Sequence, residues 1–103
     1  MTRQEKIQEL NRLRWNGALV PEDGLEDWED KDLDLCLQKA LIAVARKEAD
    51  QTANEAYITG DSIIAKDAKI AETRLRELED LRDGKADIKN LRHVSEEEIG
   101  IFI

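Results

Sequence analysis

The amino-acid sequence predicts an all-α fold, a long antiparallel helical hairpin with an N-terminal helix and short C-terminal elements packed on it. The apolar residues are mainly Leu, Ile and Ala, which favour helices, and only 4% of the residues are aromatic. A single proline leaves long stretches free to be helical. Two apolar stripes of helical period are joined by a short turn at Thr59–Ser62. The 103 residues suit one domain, which folds alone or as an oligomeric bundle.

The N-terminal part, residues 1–15, is predicted to contain a helix from Arg3 to Trp15. Thr2 and Glu5 have the spacing of a capping box, in which each side chain binds a backbone N–H near the start of the helix. The apolar positions that follow recur near the helical period and should face the core: Ile7, Leu10 and Leu13.

Residues 16–31 are predicted to form an acidic loop. Between Glu22 and Asp34, eight acidic residues stand against one base, Lys31, so this segment carries −7 of a total net charge of −8. Aspartates at a helix start are favoured by the helix dipole, but the acidic residues that precede the first turn are not explained by this effect. We therefore expect the excess acids and the adjacent tryptophan to bind a partner with a basic surface: Glu22, Asp23, Glu26, Asp27, Trp28 and Glu29.

The two tryptophans, Trp15 and Trp28, bracket this loop. One interpretation is that both pin the loop to the core of the hairpin. The other is that they lie at an interface, where tryptophan often contributes strongly to binding.

The hairpin is predicted to comprise residues 32–58 and 62–82. The first of these helices is apolar on most sides near its start and then narrows to a stripe, and a break around Asp50–Asn54 is left open. The second helix has a seam with alternating spacings of four and three, like that of a coiled coil: Ile64, Ala68, Ala71, Leu75 and Leu78. Ile63 and Ile70 lie off this seam, and we expect them to mediate self-association.

Residues 85–103 form a C-terminal segment with an apolar tail. Residues 86–91 are compatible with a short helix, and Ser95 and Glu98 form a second capping box. The tail after residue 98 is rich in β-branched residues and contains a glycine, which predicts an extended conformation. It either packs on its own core or inserts into a second subunit, through Ile101 and Phe102.

The acidic segment resembles a calcium loop only in part. Asp30, Asp32 and Asp34 have the spacing of the first three ligands of an EF-hand loop. The sixth position, which needs glycine, is Leu35, and the twelfth, which needs a bidentate glutamate, is Leu41. A solvated helix start explains these aspartates better than a calcium site.

No other residue set predicts chemistry. Cys36 and His93 are the only residues of their types, which excludes an intrachain disulfide and a structural zinc site. Asp61 or Ser62 is expected to cap the helix that follows Gly60, Ser95 stands at another N-cap position, and no glycine-rich phosphate loop exists. We therefore expect a protein that is not an enzyme and uses no metal or cofactor.

The predicted function is that of a non-catalytic interaction module. An acidic surface disfavours direct nucleic-acid binding, which needs clustered Lys and Arg. The general character is that of a small accessory protein of a phage or mobile element, either an inhibitor or a nucleic-acid mimic that binds a basic surface of a host protein. The alternatives are a structural adaptor or subunit of a phage-like assembly, and an oligomer that binds a small ligand. Neither a signal peptide nor a membrane-spanning run is present, so we expect a cytoplasmic protein without membrane contact.

Overall fold

The computed structural model describes all 103 residues and contains helices but no strand. None of the helices combines the length and the hydrophobicity that a membrane crossing requires. Single turns of 3-10 helix lie at Leu25–Asp27 and Ile88–Asn90. The four α-helices are α1 (Arg3–Trp15), α2 (Asp30–Thr59), α3 (Ser62–Arg82) and α4 (Glu96–Phe102).

The predicted antiparallel hairpin is confirmed, with α2 and α3 packed along each other. At the turn, Gly60 has a φ of +67°, a left-handed conformation that suits glycine, and its N–H donates to the Ala56 carbonyl oxygen at 2.9 Å. The Asp61 carboxylate then accepts from the Ile63 N–H at 2.8 Å and caps α3. Of the two expected caps, Asp61 is therefore the cap, and Ser62 is the first helical residue.

Helix α2 is continuous over 30 residues, so it does not break around Asp50–Asn54. It begins at Asp30, two residues before the predicted start, and ends at Thr59, one residue after the predicted end. Its first-turn carboxylates, Asp30 and Asp32, lie at the positive end of the helix dipole, as expected.

Two apolar clusters form the core, one on each side of α2. The first joins α1, the acidic loop and α2, and its wholly buried members include Leu10, Leu33 and Leu37. The second joins Ile42 and Ala45 of α2 to the C-terminal half of the chain through Leu78, Leu81 and Val94. The predicted α3 seam is present, with Ala68 and Leu78 buried and its other members half-buried: Ile64, Ala71 and Leu75.

The prediction of an extended tail is wrong, because α4 runs from Glu96 to Phe102. The Ser95–Glu98 capping box starts this helix, and Ile101, which is 5% exposed, belongs to the first core cluster. Local capping and burial together outweigh the weak strand preference of the β-branched residues. Phe102 is half-buried and contacts both clusters, so Ile101 and Phe102 pack on their own chain, while Ile103 is 77% exposed.

The outer end of the hairpin extends beyond both clusters. Between Ala49 and Ala68 no side chain is buried, and we call residues 50–67 the hairpin arm. Three large apolar side chains of the arm are exposed, and so is Ile70, which follows the arm on α3: Tyr57, Ile58, Ile63 and Ile70.

Candidate protein-interaction site

The acidic loop is fastened to α1 by one arginine. Arg3 donates through Nη2 to the backbone carbonyl oxygens of Glu26, at 2.6 Å, and of Trp28. Its Nη1 donates to Asp30 Oδ1 at 2.8 Å. One side chain thus binds both the end of the loop and the start of α2. Sequence reasoning missed this contact, because nothing in the local pattern around Arg3 points to a loop more than 20 residues away.

Three of the eight acids in the segment are paired with a base. Asp30 pairs with Arg3, Asp34 with Lys6 at 2.9 Å, and Glu29 with Lys31 at 3.5 Å. The remaining five are exposed and form no ion pair, and we call them the open carboxylates: Glu22, Asp23, Glu26, Asp27 and Asp32.

The two tryptophans have different environments. Trp28 is half-buried against the first core cluster, as expected of a residue that pins the loop. Trp15 is 86% exposed, so the expectation that it also pins the loop is wrong. Three smaller side chains of the loop fill the space beside α1 instead: Ala18, Val20 and Leu25.

A groove of about 720 Å³ lies between the acidic loop and the first turns of α2, and we call it the loop groove. Leu19 and Leu35 line it, and they are 98% and 53% exposed. Further apolar surface comes from Pro21, Trp28 and Cys36. The charged residues that line the groove are Asp27, Glu29, Lys31, Asp32 and Lys39.

Cys36 contributes a thiol to the wall of the loop groove. Burial raises the pKa of this thiol above its usual range, and the nearby Lys39 opposes that effect only in part. A protonated thiol is a poor nucleophile and a small apolar surface. Cys36 therefore suits packing against a bound apolar group better than covalent chemistry.

The residues considered for catalysis are engaged in the fold. The Ser95 hydroxyl accepts from the Glu98 N–H at 3.2 Å, as its capping role predicts. His93 is half-buried, and its backbone N–H donates to Glu77 at 2.9 Å. No three His, Cys, Asp or Glu side chains come close enough together to hold a metal ion.

The four self-association candidates divide into two pairs. Ile63 and Ile70 are 68% and 49% exposed, whereas Ile101 and Phe102 pack on the core described above.

Comparison of the chain with protein-family models, with curated proteins and with solved structures gives no match. Function is therefore inferred from two surfaces of the molecule, the loop groove with its open carboxylates and the hairpin arm.

Proposed function

We propose that this protein is a non-catalytic interaction module that binds a basic surface of another protein through its acidic loop. The observation that carries this proposal is the pairing of two exposed features in one place. Two of the open carboxylates, Asp27 and Asp32, line a groove that is also lined by the exposed leucines Leu19 and Leu35. Complementary charge speeds the association of a partner, and burial of apolar surface stabilises the complex. Protein interfaces commonly combine the two.

Electrostatics favours a basic partner. The open carboxylates lack bases of their own, so a partner's Lys or Arg side chains would supply their first ion pairs. Because crowded like charges repel each other, a basic partner also relieves that repulsion. Many basic protein surfaces bind nucleic-acid phosphates, and a protein that covers such a surface acts as an inhibitor by mimicking the nucleic acid.

Selection from a library of random peptides tests this function. Wild-type protein should enrich peptides rich in Lys and Arg. A variant with Glu22→Gln, Asp23→Asn, Glu26→Gln and Asp27→Asn keeps the Arg3 contacts, because Arg3 binds only backbone atoms at Glu26, and it should show a weaker enrichment of basic peptides. If wild type and variant enrich the same peptides to the same degree, the acidic loop is not the binding site.

The hairpin arm favours a second function, that of a subunit or structural adaptor in a larger assembly. Tyr57, Ile58 and Ile63 are 91%, 80% and 68% exposed around the turn of the hairpin. Exposed apolar side chains in this number mark a surface that contacts another chain. The arm lies at the end of the hairpin away from α1 and α4, so both surfaces could be used together.

A further inference from the structure

The loop groove is open to solvent and is lined in part by exposed apolar side chains. We infer that it binds a short segment of the partner that carries a large apolar anchor next to Lys or Arg. This inference rests on the proposed function and specifies the partner's chemistry.

The apolar anchor follows from the walls of the groove. Leu19 projects almost wholly into solvent at 98% exposure, and Leu35 is 53% exposed on α2. Trp28, Pro21 and the neutral thiol of Cys36 continue the apolar surface between them. An apolar side chain that enters here removes both leucines and the tryptophan edge from water, which is the favourable term in most protein associations.

The basic neighbour follows from the rim. Asp27 and Asp32 form no ion pair, and Glu29 contacts only Lys31, at 3.5 Å with both side chains exposed. Exposed pairs of that kind contribute little, so Glu29 remains available to a partner's base. A Lys or Arg beside the anchor therefore meets as many as three carboxylates.

The charged residues at the rim of the groove also predict the orientation of a bound segment. Lys39 lines the groove, forms no ion pair, and lies seven residues after Asp32 on α2, a distance of about 10 Å along the helix axis. Asp32 lies toward the start of α2, and Lys39 lies farther along the helix. The bound segment should place its base toward the start of α2 and should have no base near Lys39.

The hairpin arm of a second copy fits the groove poorly. The arm has exposed apolar side chains, but its charged residues are four acids and one base, Lys66. Such an acidic segment would be repelled by the open carboxylates. Charge therefore favours a basic segment over the hairpin arm.

The experiment extends the peptide selection with a groove variant. Leu19→Ala combined with Leu35→Ala changes only exposed side chains, and Ile88→Ala, at 49% exposure and outside both the groove and the arm, is the matched control. Peptides selected by wild type should have an apolar residue at a fixed distance from a base. Those selected by the groove variant should keep the bases and lose the fixed apolar position.

Binding of the most enriched wild-type peptide is then measured by tryptophan fluorescence in a Trp15→Phe background, which leaves Trp28 as the only tryptophan. Removal of the peptide's apolar residue, or of both leucines, should weaken binding by about tenfold or more, whereas Ile88→Ala should have no effect. If the enriched peptides are basic but tolerate these changes, the inference of an apolar anchor is contradicted, and the proposed acidic binding site is still supported. If they are not basic, the proposed function fails, and this inference fails with it.

Discussion

Arg74 of α3 and Glu98 of α4 form a two-point ion pair, with nitrogen–oxygen distances of 2.6 and 3.0 Å. Arg74 also donates to the carbonyl oxygen of His93 at 2.8 Å, so it binds both the segment before α4 and its first turn. Glu98 in turn accepts from the Ser95 N–H at 3.0 Å. These contacts hold α4 in place, and α4 positions Ile101 in the first core cluster.

This ion pair should make stability depend on pH. Burial acts to raise the pKa of Glu98, but the hydrogen bonds from Arg74 and Ser95 outweigh it, so the pKa lies below its usual range. A carboxyl whose pKa is lower in the folded state stabilises the fold above its unfolded pKa, about 4.3, and this stabilisation is lost as the pH falls through the folded value.

We expect Glu98→Gln to lower the free energy of unfolding at pH 7 by about 1–3 kcal/mol and to flatten its decrease at acid pH. Urea unfolding followed by circular dichroism over a pH series measures both effects. Glu97→Gln, an exposed neighbour without an ion pair, is the control. An unchanged acid profile in Glu98→Gln would mean that the Arg74 pair does not fasten α4.

The hairpin seam gives a graded prediction. Leu78→Ala should cost about 2–5 kcal/mol, because Leu78 is completely buried in the second cluster. Leu75→Ala should cost less, since Leu75 is only half-buried. Ile63→Ala, at 68% exposure, should change stability by no more than about 0.5 kcal/mol in the monomer. Equal costs at Leu75 and Leu78 in urea unfolding would show that α3 presents a different face.

Arg3 should control the order of the acidic loop rather than global stability. Arg3→Ala removes the contacts to Glu26, Trp28 and Asp30, so backbone amides of the loop should exchange hydrogen faster. The global free energy of unfolding should change by less than about 1 kcal/mol, because the ion pair is exposed. Arg82→Ala, which breaks only a surface pair with Asp83, is the control, and similar loop exchange in both variants would contradict the fastening role.

Self-association through the arm is a separate prediction. Analytical ultracentrifugation at micromolar concentration should detect a species larger than the monomer. Ile63→Ser combined with Ile70→Ser should return the protein to a monomer, because both side chains are exposed in the single chain. A wild type that remains monomeric would remove the support for an assembly subunit. Leu19→Ser, an equally exposed change in the loop groove, should leave the larger species intact.

The sequence predicted those elements whose local signals agree with their packing. The bounds of α1 and α3 match the structure, because capping residues at Thr2 and Asp61 coincide with apolar stripes that find a partner helix. The tail was mispredicted because its residue preferences conflict with a capping box and with burial of Ile101, and propensity is the weaker influence.

The candidate site was predicted in part. Its acids were found by counting charges, and Trp28 was found because it lies among them. Leu19 and Leu35 carry no sequence signal that separates an exposed leucine from a core one. Their exposure depends on the path of the loop, which Arg3 fixes through contacts distant in sequence. Such long-range contacts cannot be read from periodicity.

The central claim is that the open carboxylates drive binding to a basic segment. The most direct test is the salt dependence of affinity for the enriched peptide, measured by Trp28 fluorescence in the Trp15→Phe background. The affinity of the wild-type loop should fall steeply between low and physiological salt. With Glu22→Gln, Asp23→Asn, Glu26→Gln and Asp27→Asn, binding should be weaker and less dependent on salt, at an unchanged melting temperature. Equal affinity and equal salt dependence of the two proteins would contradict the account.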